Sequence, residues 1–345
     1  MFATRPSWRD APAELAAGVQ RVCGASIVGS RDVHGGMSPG PAAVLRLADG
    51  RRVFVKAVSR AVSEPSHRFY QREAVALAAL PVETPAPVLL GSIEVTTEGV
   101  IRIAAAAKGA REAAGAARPE TGGEGAGAAD IACGADGWFA LVMSVAEGVP
   151  AGPPWTGDGV GLVRDACEVI GALPAPDVVP PIGQILTDLD GWELLAAGDP
   201  ALLDGWERQN VAALAELAAR WQGWTAGTAL VHQDVRADNA IVDLVARRAV
   251  LVDWSFGCAG APWLDRARLA ADIVGAGHRD GPAAALRAAT KILDALPGDA
   301  ARFVAALGGM WRYRSTLAAP PGHPTLRPWQ RERARLIRPL LATLL

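Results

Sequence analysis

The stretch Ala229–Gly257, ALVHQDVRADNAIVDLVARRAVLVDWSFG, decides the reading of this chain. Ala229–Val231 is a short apolar run, His232–Asn239 is polar and cannot pack as core, and Ala240–Val242 is apolar again. Arg247 and Arg248 mark a turn, and Ala249–Val252 is a third apolar run that ends on Asp253. The pattern is strand, polar loop, strand, turn, strand. It delivers Asp234, Asn239 and Asp253 to one end of a small hairpin. Two carboxylates and an amide oxygen are hard donors that suit Mg²⁺. The competing reading of the same residues is a polar turn with chance acids.

His232-Gln233-Asp234-Val235-Arg236-Ala237-Asp238-Asn239, with Asp253-Trp254-Ser255 behind it, resembles the catalytic loop of the aminoglycoside phosphotransferase and choline kinase family, distant relatives of protein kinases. The family pattern is His-x-Asp-x-x-x-x-Asn followed by a later Asp. The kinase mechanism gives the loop Asp to the substrate hydroxyl and the loop Asn and later Asp to metal. The resemblance implies an α+β, protein-kinase-like two-lobe fold. Its N-terminal nucleotide-binding lobe, residues 1–145, is a small antiparallel β-sheet with a helix. Its C-terminal lobe, residues 146–345, is mainly helical and holds catalysis and substrate.

Working outward toward the N-terminus, Ala11–Cys23 reads as a helix that Asp10 can cap and Gly24 stops. Three strands follow: one to about His34, then Ala42–Leu47 and Arg52–Val58, the last two joined at Asp49-Gly50, a strong hairpin signal. Between the first two lies His34-Gly35-Gly36-Met37-Ser38-Pro39-Gly40. Such a loop lets backbone N–H groups approach phosphate, or is an ordinary turn. The resemblance implies that Gly35, Gly36 and Ser38 face the nucleotide, that Lys56 binds its phosphates, and that Glu73, on a helix over Ser66–Leu80, pairs with Lys56. Pro39 removes one possible phosphate donor.

Val88–Ile93 and Val100–Ile103 alternate as strands. From Ala104 to Gly137, 22 of 34 residues are Ala or Gly, with no aromatic. Such a segment cannot bury enough surface to offset its ordering entropy and is expected to be a flexible insertion. Trp138–Val145 returns to strand, and Leu141–Gly148 resembles the family's hinge, which implies adenine contacts at the Ser144 carbonyl and the Ala146 N–H. Beyond Pro150 the sequence is mainly helical: Val160–Leu173, Gly191–Ala197, Ala201–Trp224, a helix from Pro262 into Val274, then Pro282–Leu296, Ala300–Leu317 and Arg327–Leu345. In the family, an Asp three residues after such a proline ties its helix to the catalytic loop, which implicates Asp265. Trp192, Trp206, Trp221 and Trp224 read as core.

The 345 residues are half apolar, enough for a sizeable core in one large domain or two lobes. A net charge of −2 gives no hint of a nucleic-acid partner. Cys23, Cys133, Cys167 and Cys258 lie far apart and read as reduced thiols. No secretory signal or membrane span is legible, so a cytoplasmic location is expected.

The expected activity is therefore an ATP- or GTP-dependent, Mg²⁺-assisted phosphotransfer to a hydroxyl of a small molecule. Asp234 takes the acceptor's proton, Asn239 and Asp253 hold the metal, and Arg236 either reaches the γ-phosphate or faces solvent. His232 braces the loop. A catalytically silent kinase-like binding module is the alternative from another class, and a metal-dependent phosphohydrolase is the third. The phosphohydrolase reading gives no role to Lys56 or to the glycine loop. Residues 262–345 carry thirteen basic residues against six acids. That balance argues against a polycationic acceptor such as an aminoglycoside, unless Trp155–Leu217, with eleven acids against two arginines, supplies the anionic contacts rather than a solvated face.

Overall fold

The computed structural model describes residues 5–35, 38–96, 98–105, 137–320 and 323–345. Gly36, Met37 and most of the Ala/Gly-rich stretch, 106–136 with Cys133, lie outside the described residues, and with them the expected flexible insertion. The chain divides into two compact units, residues 2–82 with 86–146 and residues 83–85 with 147–345.

The first unit is a six-stranded antiparallel sheet: β1 (Ile27–Asp32), β2 (Ala42–Leu47), β3 (Arg52–Ser59), β4 (Leu89–Val95), β5 (Ile101–Ala105) and β6 (Trp138–Ser144). The strand order is β1-β2-β3-β6-β4-β5. Gly50 turns β2 into β3 at φ 87°, a conformation that suits glycine. One face of the sheet packs on helix α1 (Ala13–Cys23). Leu15, Val19 and Val22 of α1 meet Leu45, Leu47, Val53, Val55, Ile93 and Val142 in a continuous core. Each such buried side chain contributes about 1.5–3 kcal/mol.

Gly24 ends α1 in the left-handed conformation, as the sequence predicts. Asp10 does not cap it. Asp10 closes a separate 3-10 turn, Trp8–Asp10, that Ser7 caps, and α1 starts behind Pro12 without a side-chain cap. The reason is local: Ala11 and Pro12 are both extended, so the chain breaks between the two helical pieces. Helix α2 (Glu64–Ala79) starts on Ser63, whose Oγ accepts from the Ser66 N–H, with Pro65 in its first turn.

The second unit holds ten helices among the described residues: α3 (Gly157–Ala172), α4 (Ile182–Ile185), α5 (Gly191–Ala196), α6 (Gly205–Ala218), α7 (Trp221–Thr225), α8 (Leu264–Ala276), α9 (Pro282–Asp294), α10 (Asp299–Arg314), α11 (Leu326–Leu336) and α12 (Arg338–Leu341). Two helices expected from periodicity are each divided. Over 201–224, Asp204 and Glu207 form a reciprocal capping box that starts α6 afresh. Arg220, at φ 60°, separates α6 from α7. Over 327–345, the division falls at Ile337, with Pro339 in the first turn of α12. Trp192 and Trp221 are core as expected, joined by the fully buried Trp155 and Trp254, whereas Trp206 and Trp224 are only half-buried, their rings under the Arg338 and Arg302 guanidinium groups.

The short strands correct the simple hairpin. β9 (Ala240–Asp243) and β10 (Arg248–Leu251) do form one, with β7 (Val149–Pro150) on the far side of β9. β8 (Ala229–Val231) instead pairs with β11 (Cys258–Gly260) in a separate ribbon. The polar loop therefore bridges two ribbons. Alternating apolar runs specify strands but not their partners, and the partner of β8 lies beyond the turn that follows Asp253.

Candidate active site

In the sheet unit, Lys56 lies on β3, opposite Ala42 of β2 and Leu141 of β6. Its Nζ is 2.5 Å from Glu73 Oε2 on α2, and both side chains are buried. The ammonium also sits 4.6 Å from the centre of the Tyr70 ring. Strand and helix thus present the cation from a fixed anion, the arrangement expected from the sequence. Tyr70, one turn before Glu73, donates its hydroxyl proton to Ser38 Oγ at 2.8 Å and ties the glycine loop to the same helix.

Gly35 adopts φ 118°. Arg5, which the sequence reading passed over, donates to the Gly35 carbonyl at 2.7 Å and to the Gly40 carbonyl at 3.3 Å, strapping both ends of the loop. Gly40 closes the loop against β3: a Cβ there would stand 1.8 Å from the Ala57 carbonyl oxygen. Its signal was present in the sequence as the last glycine of the loop, but only the strand partner shows what it is for. At the end of β6, Ser144 donates its N–H to the Val88 carbonyl and accepts the Val88 N–H on Oγ, both at 2.9 Å. Ala146 follows outside the strand, half-buried.

In the helical unit, the polar loop is held by its own residues and by α8. His232 is fully buried. Asp234 donates its backbone N–H to His232 Nδ1 at 3.2 Å, so Nε2 carries the proton and donates to the Val252 carbonyl at 3.0 Å. Burial lowers the His232 pKa, against the pull of Asp265, Asp234 and Asp253. A neutral ring wedged edge-on to Trp254, 4.7 Å between centroids, braces the loop.

Asp265 accepts the backbone N–H groups of His232 at 2.7 Å and of Gln233 at 2.8 Å. This is the link that the family pattern implied. Burial pushes the Asp265 carboxyl up from its ordinary range, and its hydrogen bonds oppose that. Gln233 stands at φ 69° where the family often has glycine, and neither end of its buried amide has a hydrogen-bond partner among the described residues.

Asn239 Nδ2 donates to the Asp234 carbonyl at 3.0 Å and to Asp234 Oδ2 at 2.9 Å. The amide is thereby oriented, with Oδ1 as the end that can face a cation. The Val252 N–H donates to the Asn239 carbonyl at 2.9 Å, so Asp253 is held next to Asn239. Asp253 itself is left-handed, φ 69°, and accepts the Ser255 hydroxyl at 3.1 Å. Aspartate tolerates that backbone better than most residues. The loop thus brings Asp234 and Asn239 into direct contact, and the β10 end brings Asp253 beside them.

Arg236 spends Nε and Nη2 on Asp238, and its Nη1 is 3.8 Å from Asp234 Oδ2. Burial lowers its pKa, but Asp234 and Asp238 outweigh that and raise it. Sequence reasoning missed two residues on α8. Arg268 Nη2 donates to Asp234 Oδ1 at 2.9 Å. Asp272 Oδ2 accepts the Ala237 N–H at 2.9 Å and the Trp155 indole N–H at 3.0 Å, and its Oδ1 pairs with Arg333 at 3.3 Å. Their sequence signal was their spacing from Asp265, three and seven residues, which puts all three on one helix face.

A family model described as the phosphotransferase enzyme family matches residues 40–305. The chain belongs to that family. Membership makes it a small-molecule kinase. Among curated proteins nothing matches. Among solved structures, the aminoglycoside phosphotransferase APH(4)-Ia is similar at 14% identity and a TM-score of 0.54, with 94% of this chain and 98% of that one covered. A thermostable mutant of it in ternary complex with ADP and hygromycin B gives 15% identity and 0.53 over the same shares. Another, with AMP-PNP and hygromycin B, gives 14% and 0.54 over 95% and 98%. At these identities the likeness is one of fold: the kinase-like two-lobe architecture of the phosphotransferase family.

Proposed function

We propose that this kinase transfers the γ-phosphoryl group of ATP, or of GTP, to a hydroxyl of a small molecule. The observation that carries the reading is the buried Lys56–Glu73 pair. A metal-dependent phosphohydrolase has no use for a strand lysine held by a helix carboxylate, whereas a kinase uses it to position phosphates. The nucleotides seen with the APH(4)-Ia mutants support ATP as donor.

On this reading, Gly35, Gly36 and Ser38 cover the phosphates, and the Ser144 carbonyl and Ala146 N–H meet the base. Asp234 accepts the acceptor's hydroxyl proton as its oxygen attacks the γ-phosphorus. The bond from that phosphorus to the β-phosphate oxygen breaks, and the nucleoside diphosphate leaves. Arg236, locked to Asp238, keeps one donor toward Asp234 for the transferred group.

The donor set fits Mg²⁺. Asn239 Oδ1 and the Asp253 carboxylate are hard oxygens, and Mg²⁺ in kinases is held by few protein ligands plus phosphate. Among the described residues no group of three His, Cys, Asp or Glu could hold a metal. When bound there, the ion would neutralise charge developing on the phosphates.

Asp234 and two acids near it are paired with arginine: Asp238 with Arg236, Asp272 with Arg333 and Asp234 itself with Arg268. That supports a neutral or anionic alcohol over a polycation as acceptor. Among the described residues no helix is long and apolar enough to cross a membrane, and Cys23, Cys167 and Cys258 are buried. The proposed reading places the kinase in the cytoplasm. The test is an ADP-release screen of the purified chain against aminoglycosides, choline-like amines, sugars, homoserine and macrolides. ADP release that depends on one of these alcohols is expected. Release that no alcohol accelerates would favour the phosphohydrolase, and nucleotide binding with no release the silent module.

A further inference from the structure

We propose that Arg268 is a positioning residue for the reaction: it fixes the Asp234 carboxylate so that one oxygen is committed and the other is presented to the acceptor. The inference rests on the reading of Asp234 as the acceptor's base. Three successive points of the catalytic loop are gripped by one face of α8. Asp265 takes the N–H groups of His232 and Gln233, Arg268 takes the Asp234 side chain, and Asp272 takes the Ala237 N–H. Positions 265, 268 and 272 follow the helical repeat, so a rigid helix sets the spacing of the loop. Two of these grips hold backbone. Only Arg268 holds a reacting side chain.

The Arg268 side chain is 8% exposed and Asp234's is 13% exposed. The rest of the guanidinium has no other hydrogen-bond partner: Nε and Nη1 are buried and unbonded among the described residues, and the group lies 5.8 Å from the Trp311 ring centre. A buried cation with a single hydrogen bond is a costly arrangement for stability alone. A structural arginine would use its fork, as Arg312 does on Glu207, Ser315 and the Leu202 carbonyl. Arg268 instead places one N–H, on Nη2, against Oδ1 of the base. Asn239 Nδ2 meets Oδ2 from the other side, so the carboxylate plane is fixed by two donors on different elements. Oδ2, hydrogen-bonded by the neutral Asn239 amide and with the Arg236 guanidinium no closer than 3.8 Å, is the oxygen left to accept the acceptor's proton. A base pinned in the reactive orientation acts through the entropy it no longer loses during attack.

Because only one N–H is used, a lysine can supply it and a methionine cannot, while either keeps an unbranched stem in place of the arginine's. The experiment compares wild type, Arg268→Lys and Arg268→Met. It measures ADP release with water as acceptor and with the alcohol found in the screen, and KM for MgATP. Arg268→Met is expected to lose about 10- to 100-fold in kcat with KM for MgATP within twofold, and Arg268→Lys to recover most of the loss. A crystal structure of Arg268→Met should show the Asp234 carboxylate rotated about its χ2. Full turnover in Arg268→Met overturns the proposal, as does a loss that appears in KM alone or that Lys does not relieve. An unrotated Asp234 carboxylate overturns it whatever the rates. A wild-type chain that releases no ADP from any acceptor strikes at the kinase reading instead, and there the carboxylate geometry alone decides the role of Arg268.

Discussion

Asn239 binds Asp234 twice, its Nδ2 donating to both the backbone carbonyl and Oδ2 of the aspartate. One side chain therefore sets the position of the proposed base and, through its other end, presents the oxygen proposed to face the metal. The two roles can be separated by substitution.

Asp253→Asn should weaken MgATP binding in calorimetry, because it removes the carboxylate beside Asn239. Asp234→Asn should bind MgATP about as well as the parent and lose turnover by about 10²- to 10⁴-fold, the size of a positioned acid–base group. Full transfer activity in Asp234→Asn would overturn the kinase assignment of this loop.

Lys56 and Glu73 form a buried ion pair, so their contributions to stability and to binding diverge. Lys56→Met should lose MgATP affinity and also lower Tm, since it removes the cation from a buried carboxylate at a cost of about 3–5 kcal/mol. Pairing it with Glu73→Leu should restore most of the Tm but none of the affinity. A double variant that melts no higher than Lys56→Met would show that Glu73 is held by something other than Lys56.

The candidate site was legible because the motif is local. Asp234, Asn239 and the His232 brace fall within eight residues, and apolar runs on both sides mark them as a loop. Lys56 and Glu73 were legible only through the resemblance, since an isolated strand lysine and helix glutamate carry no signal of pairing. What the sequence hid was long-range. Arg5 reaches a glycine loop thirty residues away, and Arg268 reaches Asp234 across thirty-four. The ribbon partner of β8 was hidden for the same reason. Helix breaks at Arg220 and Ile337 were missed because neither is a glycine, and periodicity alone ran through them.

Acid should destabilise the fold through its buried histidines. Burial lowers the pKa of His232 and of His67 below the ordinary 6.5. Between that value and the lower folded one, the unfolded chain binds a proton that the folded chain does not. The stabilisation is therefore whole above about pH 6.5 and is lost as pH falls toward the folded value. Asp265 and Asp272 are shifted the other way, so their burial costs stability once ionised and acid relieves it. A variant comparison isolates the histidine: the Tm gap between wild type and His232→Gln should narrow between pH 8 and pH 5.5. A gap constant across that range would mean that His232 is not held neutral.

Gly40 offers the sharpest steric test, and its contrast with Gly35 separates two reasons for glycine in one loop. A Cβ on Gly40 would lie 1.8 Å from the Ala57 carbonyl oxygen and 2.9 Å from its carbon, on the central strand that also carries Lys56. Backbone cannot swing aside as a side-chain tip can, so relief requires the loop end and β3 to part. That parting would break the bond from the Ala57 N–H to the Pro41 carbonyl. Gly40→Ala should cost more than about 4 kcal/mol, in the range of the most damaging point substitutions. A Cβ on Gly35 meets nothing within 4 Å, but φ there is 118°. Gly35→Ala should cost only about 1–2 kcal/mol of backbone strain and leave the fold intact. Thermal unfolding of the two variants reads the difference directly. If Gly40→Ala melts within a few degrees of Gly35→Ala, the loop does not close on β3 as described.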